Sequence, residues 1–314
     1  MKLVIRIQIM AMIMISLVGF GLVGCDDTPT EVDNYQRQPV LSAFLINGQP
    51  FEEAWLERGA GMNDVYDMAN AGIDDATMMI SNLAGDTLLN LIPDPSSKGR
   101  YIPADGEEFI PQSRQTYKIE AWTTAPQNEY LWATALVPGM VEEHGPMQVF
   151  LVSDDLMDTT IVADGDTLNR TMNTMVWSWY DIDLVGGFQG IIIAQTPRED
   201  LIPLNPDWEP PVDPLNEDDD DYIGPEDRQR AGWTFMRHDQ RQITLAWIFF
   251  RWEGPQKVQF NALSGAYYDY VFSEMQAEFG AIERPEFNIN GGLGIFGAYS
   301  EQSINIYMEK VDIE

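Results

Sequence analysis

An all-β fold with one short helix is what this sequence predicts, and three observations predict it. Short apolar runs, rich in β-branched and aromatic side chains, recur along the chain. Turn signals separate them: Asn47-Gly48, Ala84-Gly85-Asp86, Asp164-Gly165 and Asn290-Gly291-Gly292. One stretch, 264–280, instead carries apolar residues at helical spacing.

The first residues stand apart from that pattern. Lys2 and Arg6 precede an apolar run from Ile7 to about Phe20, the charged and apolar regions of a secretory signal. The run ends in Leu22-Val23-Gly24-Cys25, which resembles the lipobox of bacterial lipoproteins, where the cysteine thiol is acylated and the chain is cut before it. A transmembrane helix and an ordinary cleaved signal are the two other readings. A spanning helix wants about 20 apolar residues, and this run is shorter and punctuated by glycine. Cys25 is also the chain's only cysteine, and it stands at the cut. The sequence therefore predicts a signal over 1–24, lipid attachment at Cys25, and a polar, flexible tether over 25–38. Two or more acyl chains hold a protein firmly to a bilayer, where one does not. Asp26-Asp27 has two readings. Aspartate there favours inner-membrane retention in lipoproteins of the enterobacterial type, and an acidic cluster favours export in bacteria that display lipoproteins on their surface.

Composition narrows the function classes. Fifty acidic residues against eighteen basic ones give a formal charge of −32. Loss of the signal, with Lys2 and Arg6 and no acid, makes the chain more acidic still. Phosphate backbones and anionic headgroups repel such a chain, which excludes nucleic-acid binding. A saline habitat, where an acidic surface keeps proteins soluble, is the ordinary reading of the acidity; attraction of cations or of a basic partner is the other. Without Cys25 as a free thiol no disulfide is available, so burial must carry stability. Hydrophobic residues, 45% of the chain, suffice for that.

Strands are expected at Val40–Ile46, Ala54–Leu56, Ala76–Ser81, Asp86–Ile92, Gln115–Thr123 and Tyr130–Val137. Short strands at this spacing predict a sandwich of the immunoglobulin or transthyretin kind over 39–138. Pro138-Gly139 through Gly145-Pro146 reads as a boundary. A second, antiparallel β domain is expected over 146–314, with strands at Gln148–Val152, Thr159–Val162, Thr174–Tyr180, Phe188–Gln195, Trp233–Arg237 and Gln242–Phe250. The last is apolar on both faces, which predicts a central, covered strand. Residues 197–230 break the pattern: their prolines forbid a ladder and the run Glu217–Asp221 forbids burial, so an exposed acidic loop is expected. Ser264 as N-cap and Gly280 as C′ glycine bracket the helix 264–280, with Tyr267, Tyr270, Val271, Met275 and Phe279 on its apolar face. Gly294–Tyr299 and Ser303–Lys310 are expected to form a closing hairpin.

Several stretches carry a resemblance: Asp75-Ala76-Thr77-Met78-Met79-Ile80, Thr116-Tyr117-Lys118-Ile119, Leu263-Ser264 with Tyr267-Tyr268-Asp269-Tyr270, and Asn288-Ile289-Asn290-Gly291-Gly292-Leu293-Gly294-Ile295-Phe296. From about Pro39 to the C-terminus the chain resembles a family of bacterial outer-membrane lipoproteins called domain of unknown function 4249. Trp179-Tyr180-Asp181-Ile182-Asp183 departs from the simpler Asp-Pro turn expected there, and the acidic loop is longer than expected. The resemblance implies a β-rich, surface-facing lipoprotein that accompanies a TonB-dependent outer-membrane receptor. It implies no catalytic residues and no known ligand.

Residue chemistry agrees with a protein that binds. A Ser-His-Asp triad needs a histidine between acid and nucleophile. His144 sits in the expected linker, and His238 in an expected turn, so both read as solvated. No cysteine or spaced histidine set offers a zinc site. Asp218, Asp219, Asp220 and Asp221 offer oxygen to calcium. Adjacent aspartates cannot all point inward, however, and a solvated charge run is the ordinary reading. Trp177 and Trp179 share one strand face, and Trp208 lies in the proline-rich loop. Such indoles can stack on a sugar or anchor a partner. The sequence thus predicts no enzyme and no cofactor beyond the lipid on Cys25. It predicts an outer-membrane accessory or ligand-binding lipoprotein of a TonB-dependent transport system. The alternative is a structural or adhesive surface lipoprotein without a transporter partner. A hydrolase reading would require converging carboxylates, one with a perturbed pKa.

Overall fold

Among the described residues, the first strand lies beside the last. In the computed structural model, the described residues are 37–59, 71–124, 127–139, 148–152, 159–169, 174–178, 185–196, 200–204, 230–237, 239, 242–245, 250–278, 280 and 284–310. Within them β1 (Pro39–Ile46), β2 (Ala54–Arg58), β3 (Thr77–Asn82), β4 (Thr87–Pro93), β5 (Arg100–Pro103), β6 (Thr116–Trp122) and β7 (Tyr130–Leu136) form the first half. The second half holds β8 (Gln148–Val152), β9 (Thr159–Ile161), β10 (Thr167–Asn169), β11 (Thr174–Ser178), β12 (Gly187–Ala194), β13 (Arg230–Arg237), β14 (Gln242–Leu245), β15 (Gly254–Leu263), the helix α1 (Gly265–Glu278) and β16 (Leu293–Glu309). The protein is all-β with a helix laid against it, as the residue patterns predict.

A twelve-stranded sheet runs in the order β13-β12-β15-β16-β1-β2-β5-β4-β3-β6-β7, with β10 also on β16. Period-2 alternation decides which side faces in. Leu41, Ala43 and Leu45 of β1, Met78 and Ile80 of β3, Ile119 and Ala121 of β6, and Leu131 and Ala133 of β7 all enter one core. That sheet closes on itself: Trp132 of β7 and Asn290, just ahead of β16, exchange backbone hydrogen bonds of 3.1 and 2.8 Å. A four-stranded sheet, β14-β11-β8-β9, packs over β12, β15 and β16. Val149, Trp177, Phe188, Val258, Phe260 and Met308 form the core between them, a sandwich.

The first core draws on residues up to Val137 and again on Ile289, Phe296 and Ala298, and the second on residues from Val149 onward. Hydrogen bonding crosses the expected boundary, because β1 pairs with β16 from Val40↔Leu293 to Ile46↔Tyr299.

Three expectations need correction. The closing hairpin is one continuous strand, β16. Its polar middle, Ser300-Glu301-Gln302, reads as a turn. In the fold these residues pair with β15, Ser300 donates to the Pro138 carbonyl at 3.1 Å, and Glu301 accepts from Lys257 at 2.5 Å. The second half is not purely antiparallel, since β10 and β1 both run parallel to β16. Among the described strands β14 has one neighbour, β11, so it is not central. Ser264 does stand at the N-cap position, its carbonyl accepting from the Tyr268 N–H at 2.9 Å, while its hydroxyl accepts from the Ala298 N–H at 3.1 Å and ties the helix start to β16. Gly280 does close the helix, with φ +69°. Strand β15, central in the sheet, hides behind its polar residues: the buried Gln259 amide donates to the Asn261 amide oxygen at 3.0 Å, and Asn261 donates to Gln189 at 3.2 Å.

Tyr101 of β5 is fully buried and pins the β2–β3 connection. Its hydroxyl donates to the Ile73 carbonyl at 2.8 Å and accepts from the Ala76 N–H at 3.0 Å. Tyr101→Phe leaves both groups unpaired, which costs roughly 2–4 kcal/mol. Burial, with Asp74 and Asp75 nearby, pushes the phenol up to about 12. A raised folded pKa stabilises the fold below the unfolded value, about 10, and that contribution drains away as pH climbs toward 12. Urea midpoints measured from pH 8 to 12 should fall for the wild type, and less steeply for Tyr101→Phe.

Candidate functional site

Chemistry-bearing side chains gather on the outward face of β4, β3, β6 and β7. Residues that alternate outward on one strand line up with those of the next, so register builds the site. One row runs Thr77, Trp122, Tyr130. The next runs Asn90, Met79, Glu120, Trp132. The third runs Thr87, Ser81, Lys118, Thr134.

The Trp122 and Tyr130 rings stack at 5.2 Å between centroids, 22° from parallel. The Lys118 ammonium lies 5.9 Å from the Tyr130 ring centroid and 5.3 Å from that of Trp132, an arrangement worth about 0.5–1 kcal/mol at a partly exposed site. Lys118 also donates to Glu120 Oε1 at 2.6 Å and to the Tyr130 hydroxyl at 3.1 Å. Tyr130 donates to the same carboxylate oxygen at 2.5 Å. Burial raises the pKa of the Glu120 carboxyl, but hydrogen bonds from Lys118 and Tyr130 outweigh it and hold the group below the usual range. The bond to Glu120, then that to Tyr130, raises Lys118. Burial, then the bond to Glu120, raises Tyr130. These shifts keep lysine and tyrosine as hydrogen-bond donors and the glutamate as an acceptor at neutral pH. None of the three is tuned as a base. What the face offers is aromatic surface beside a fixed donor–acceptor pair, which suits binding. Because the folded pKa of Glu120 is depressed, its contribution holds above the ordinary carboxylate range and is lost as pH falls through that lowered value.

Of the residues expected to make contacts, Trp177 is the one among the described residues. Trp177 is fully buried in the second core, against Gly190, and is not a contact residue. Cys25, Trp179, Trp208, Asp218, Asp219, Asp220, Asp221, His144 and His238 lie outside the described residues. Among the described residues no group of three or more His, Cys, Asp and Glu is placed to hold a metal ion, and no helix is long and apolar enough to cross a membrane.

No family model matches this chain, and no curated protein matches it. Among solved structures it is similar to a mutant of Salmonella alpha-2-macroglobulin at 11% identity and a TM-score of 0.24, covering 87% of this chain and 15% of that one. It is also similar to the FN1–FN3 domains of chicken CNTN1 at 9% identity and a TM-score of 0.20, covering 87% of this chain and 99% of that one. Overlaps this slight bear on neither topology nor function, and the all-β class rests on the strands described above.

Trp122, Tyr130 and Trp132 were legible only as strand residues. The alternation Lys118-x-Glu120-x-Trp122 beside Tyr130-x-Trp132 marks one strand face each. Nothing in either run says that the two strands are neighbours in that register.

Proposed function

We propose that this chain is a lipid-anchored protein of the outer membrane, facing the cell surface, that serves as an accessory or ligand-binding partner of a TonB-dependent transport system. The observation that carries this reading is the basic, apolar and Leu22-Val23-Gly24-Cys25 sequence of the first 25 residues. The resemblance to the domain of unknown function 4249 lipoproteins supports it. The contact surface we assign is the outward face around Lys118, Glu120, Tyr130 and Trp132, in place of Trp177.

Wild-type protein should incorporate a labelled fatty acid at Cys25 and lose residues 1–24, and Cys25→Ser should do neither; a serine variant labelled and cut like the wild type removes the anchor reading. Wild-type protein from solubilised outer membrane should bring down a receptor barrel. Trp132→Ala with Glu120→Gln should bring down at least tenfold less while still unfolding in a single cooperative urea transition at a somewhat lower midpoint. If no barrel accompanies the wild type, the second reading stands, a structural or adhesive surface protein.

A further inference from the structure

We propose that β16 is a folding latch, so that neither core of this protein forms until residues 289–309 are available. The segment supplies Ile289, Phe296 and Ala298 to the first core and Ile306 and Met308 to the second. It lies between β1 and β15 and is paired along both, from Val40 to Ile46 on one side and from Gly254 to Leu263 on the other. Take it away and β1 keeps β2 alone as a neighbour. The rolled first sheet also loses its closure, because the Trp132–Asn290 bridge is made from the same segment. The Asn288 side chain completes the joint: it accepts from the Phe296 N–H and donates to the Phe296 carbonyl, each at 2.9 Å.

The partners of this segment in the first core all precede it by more than half the chain, so the pairing is of very high contact order and forms late. An incomplete core exposes apolar strand faces and cannot offset chain entropy. The physical consequence is a chain that stays extended while it is being made and threaded across a membrane, then folds in one event when its closing strand arrives. That export role rests on the lipoprotein reading; the folding behaviour does not.

The test compares the full chain with one ending at Gly280, by urea unfolding followed through tryptophan fluorescence and by protease resistance. The shortened chain should show no cooperative transition, and its first half should be cleaved at least tenfold faster than in the full chain. A synthetic peptide of residues 284–310, added in excess, should restore resistance tenfold or more. A protected fragment spanning 39–138 in the shortened chain overturns the latch, and so does a peptide that restores nothing. In the full chain, Met308→Asp in the second core should lower hydrogen-exchange protection of β6 in the first core by a similar factor to that of β15. Protection of β6 left unchanged also overturns it. Failure of the Cys25→Ser experiment would leave all of these results standing and would remove only the export role.

Discussion

Gly294→Ala should destabilise the protein by about 3–5 kcal/mol. Gly294 has φ +106°, a conformation that side chains avoid. A Cβ there would sit 2.2 Å from the Leu41 carbonyl oxygen and 3.0 Å from the Leu41 nitrogen. Both atoms are backbone of β1, held in parallel register with β16, so neither can retreat without breaking the ladder. Gly291 is under the same constraint, at φ +87° and 2.2 Å from the Tyr130 carbonyl oxygen. The glycines of Asn290-Gly291-Gly292-Leu293-Gly294 therefore let the closing strand slip between β7 and β1 at backbone contact. For a domain of this size the loss corresponds to a fall in melting temperature of roughly 6–15 °C, measurable by circular dichroism. A change below about 2 °C would mean that the backbones can part at no cost.

Trp177→Ala should cost about 3–5 kcal/mol and leave partner capture unchanged in whatever fraction stays folded. The indole is fully buried and lies on Gly190 of β12 so closely that a Cβ there would be 2.2 Å from its Cζ3. A large ring above a glycine is a matched pair, and its removal opens a cavity the rigid sheets cannot close. Trp177→Phe keeps a ring and removes an indole N–H that has no hydrogen-bond partner, so it should cost roughly 1–2 kcal/mol. Gly190→Ala should be as damaging as the alanine change at Trp177, since the added Cβ would overlap the ring and the ring is fully buried in the core it shares with Phe188 and Phe260. Urea midpoints for the three variants test the ranking. If Trp177→Ala abolished capture and spared stability, Trp177 would be a contact residue after all.

The sequence pattern foretold most strands to within a residue or two, because alternation and turn chemistry are local. Val40–Ile46, Gln115–Thr123 and Tyr130–Val137 are found as Pro39–Ile46, Thr116–Trp122 and Tyr130–Leu136. The failures have a common cause. β15 hides behind Gln256, Gln259 and Asn261, which look solvated and are buried. The turn read into Ser300-Glu301-Gln302 vanishes once Lys257 and Pro138 meet those polar groups. The candidate face was invisible for the same reason: Trp122 and Tyr130 come together through a register between strands, not through spacing within one.

By itself the sequence determined the class of the fold, and it raised the expectations of a chain too acidic to bind nucleic acid and of a lipid anchor at Cys25. These depend on composition, periodicity and short motifs, each read from neighbouring residues. Tertiary structure alone decided which strands are neighbours. It put the last strand beside the first, sent Trp177 into a core, and brought Lys118, Glu120, Tyr130 and Trp132 to one face. Hydrogen-bond register and burial between distant segments are properties of pairs, and no single stretch of chain carries them.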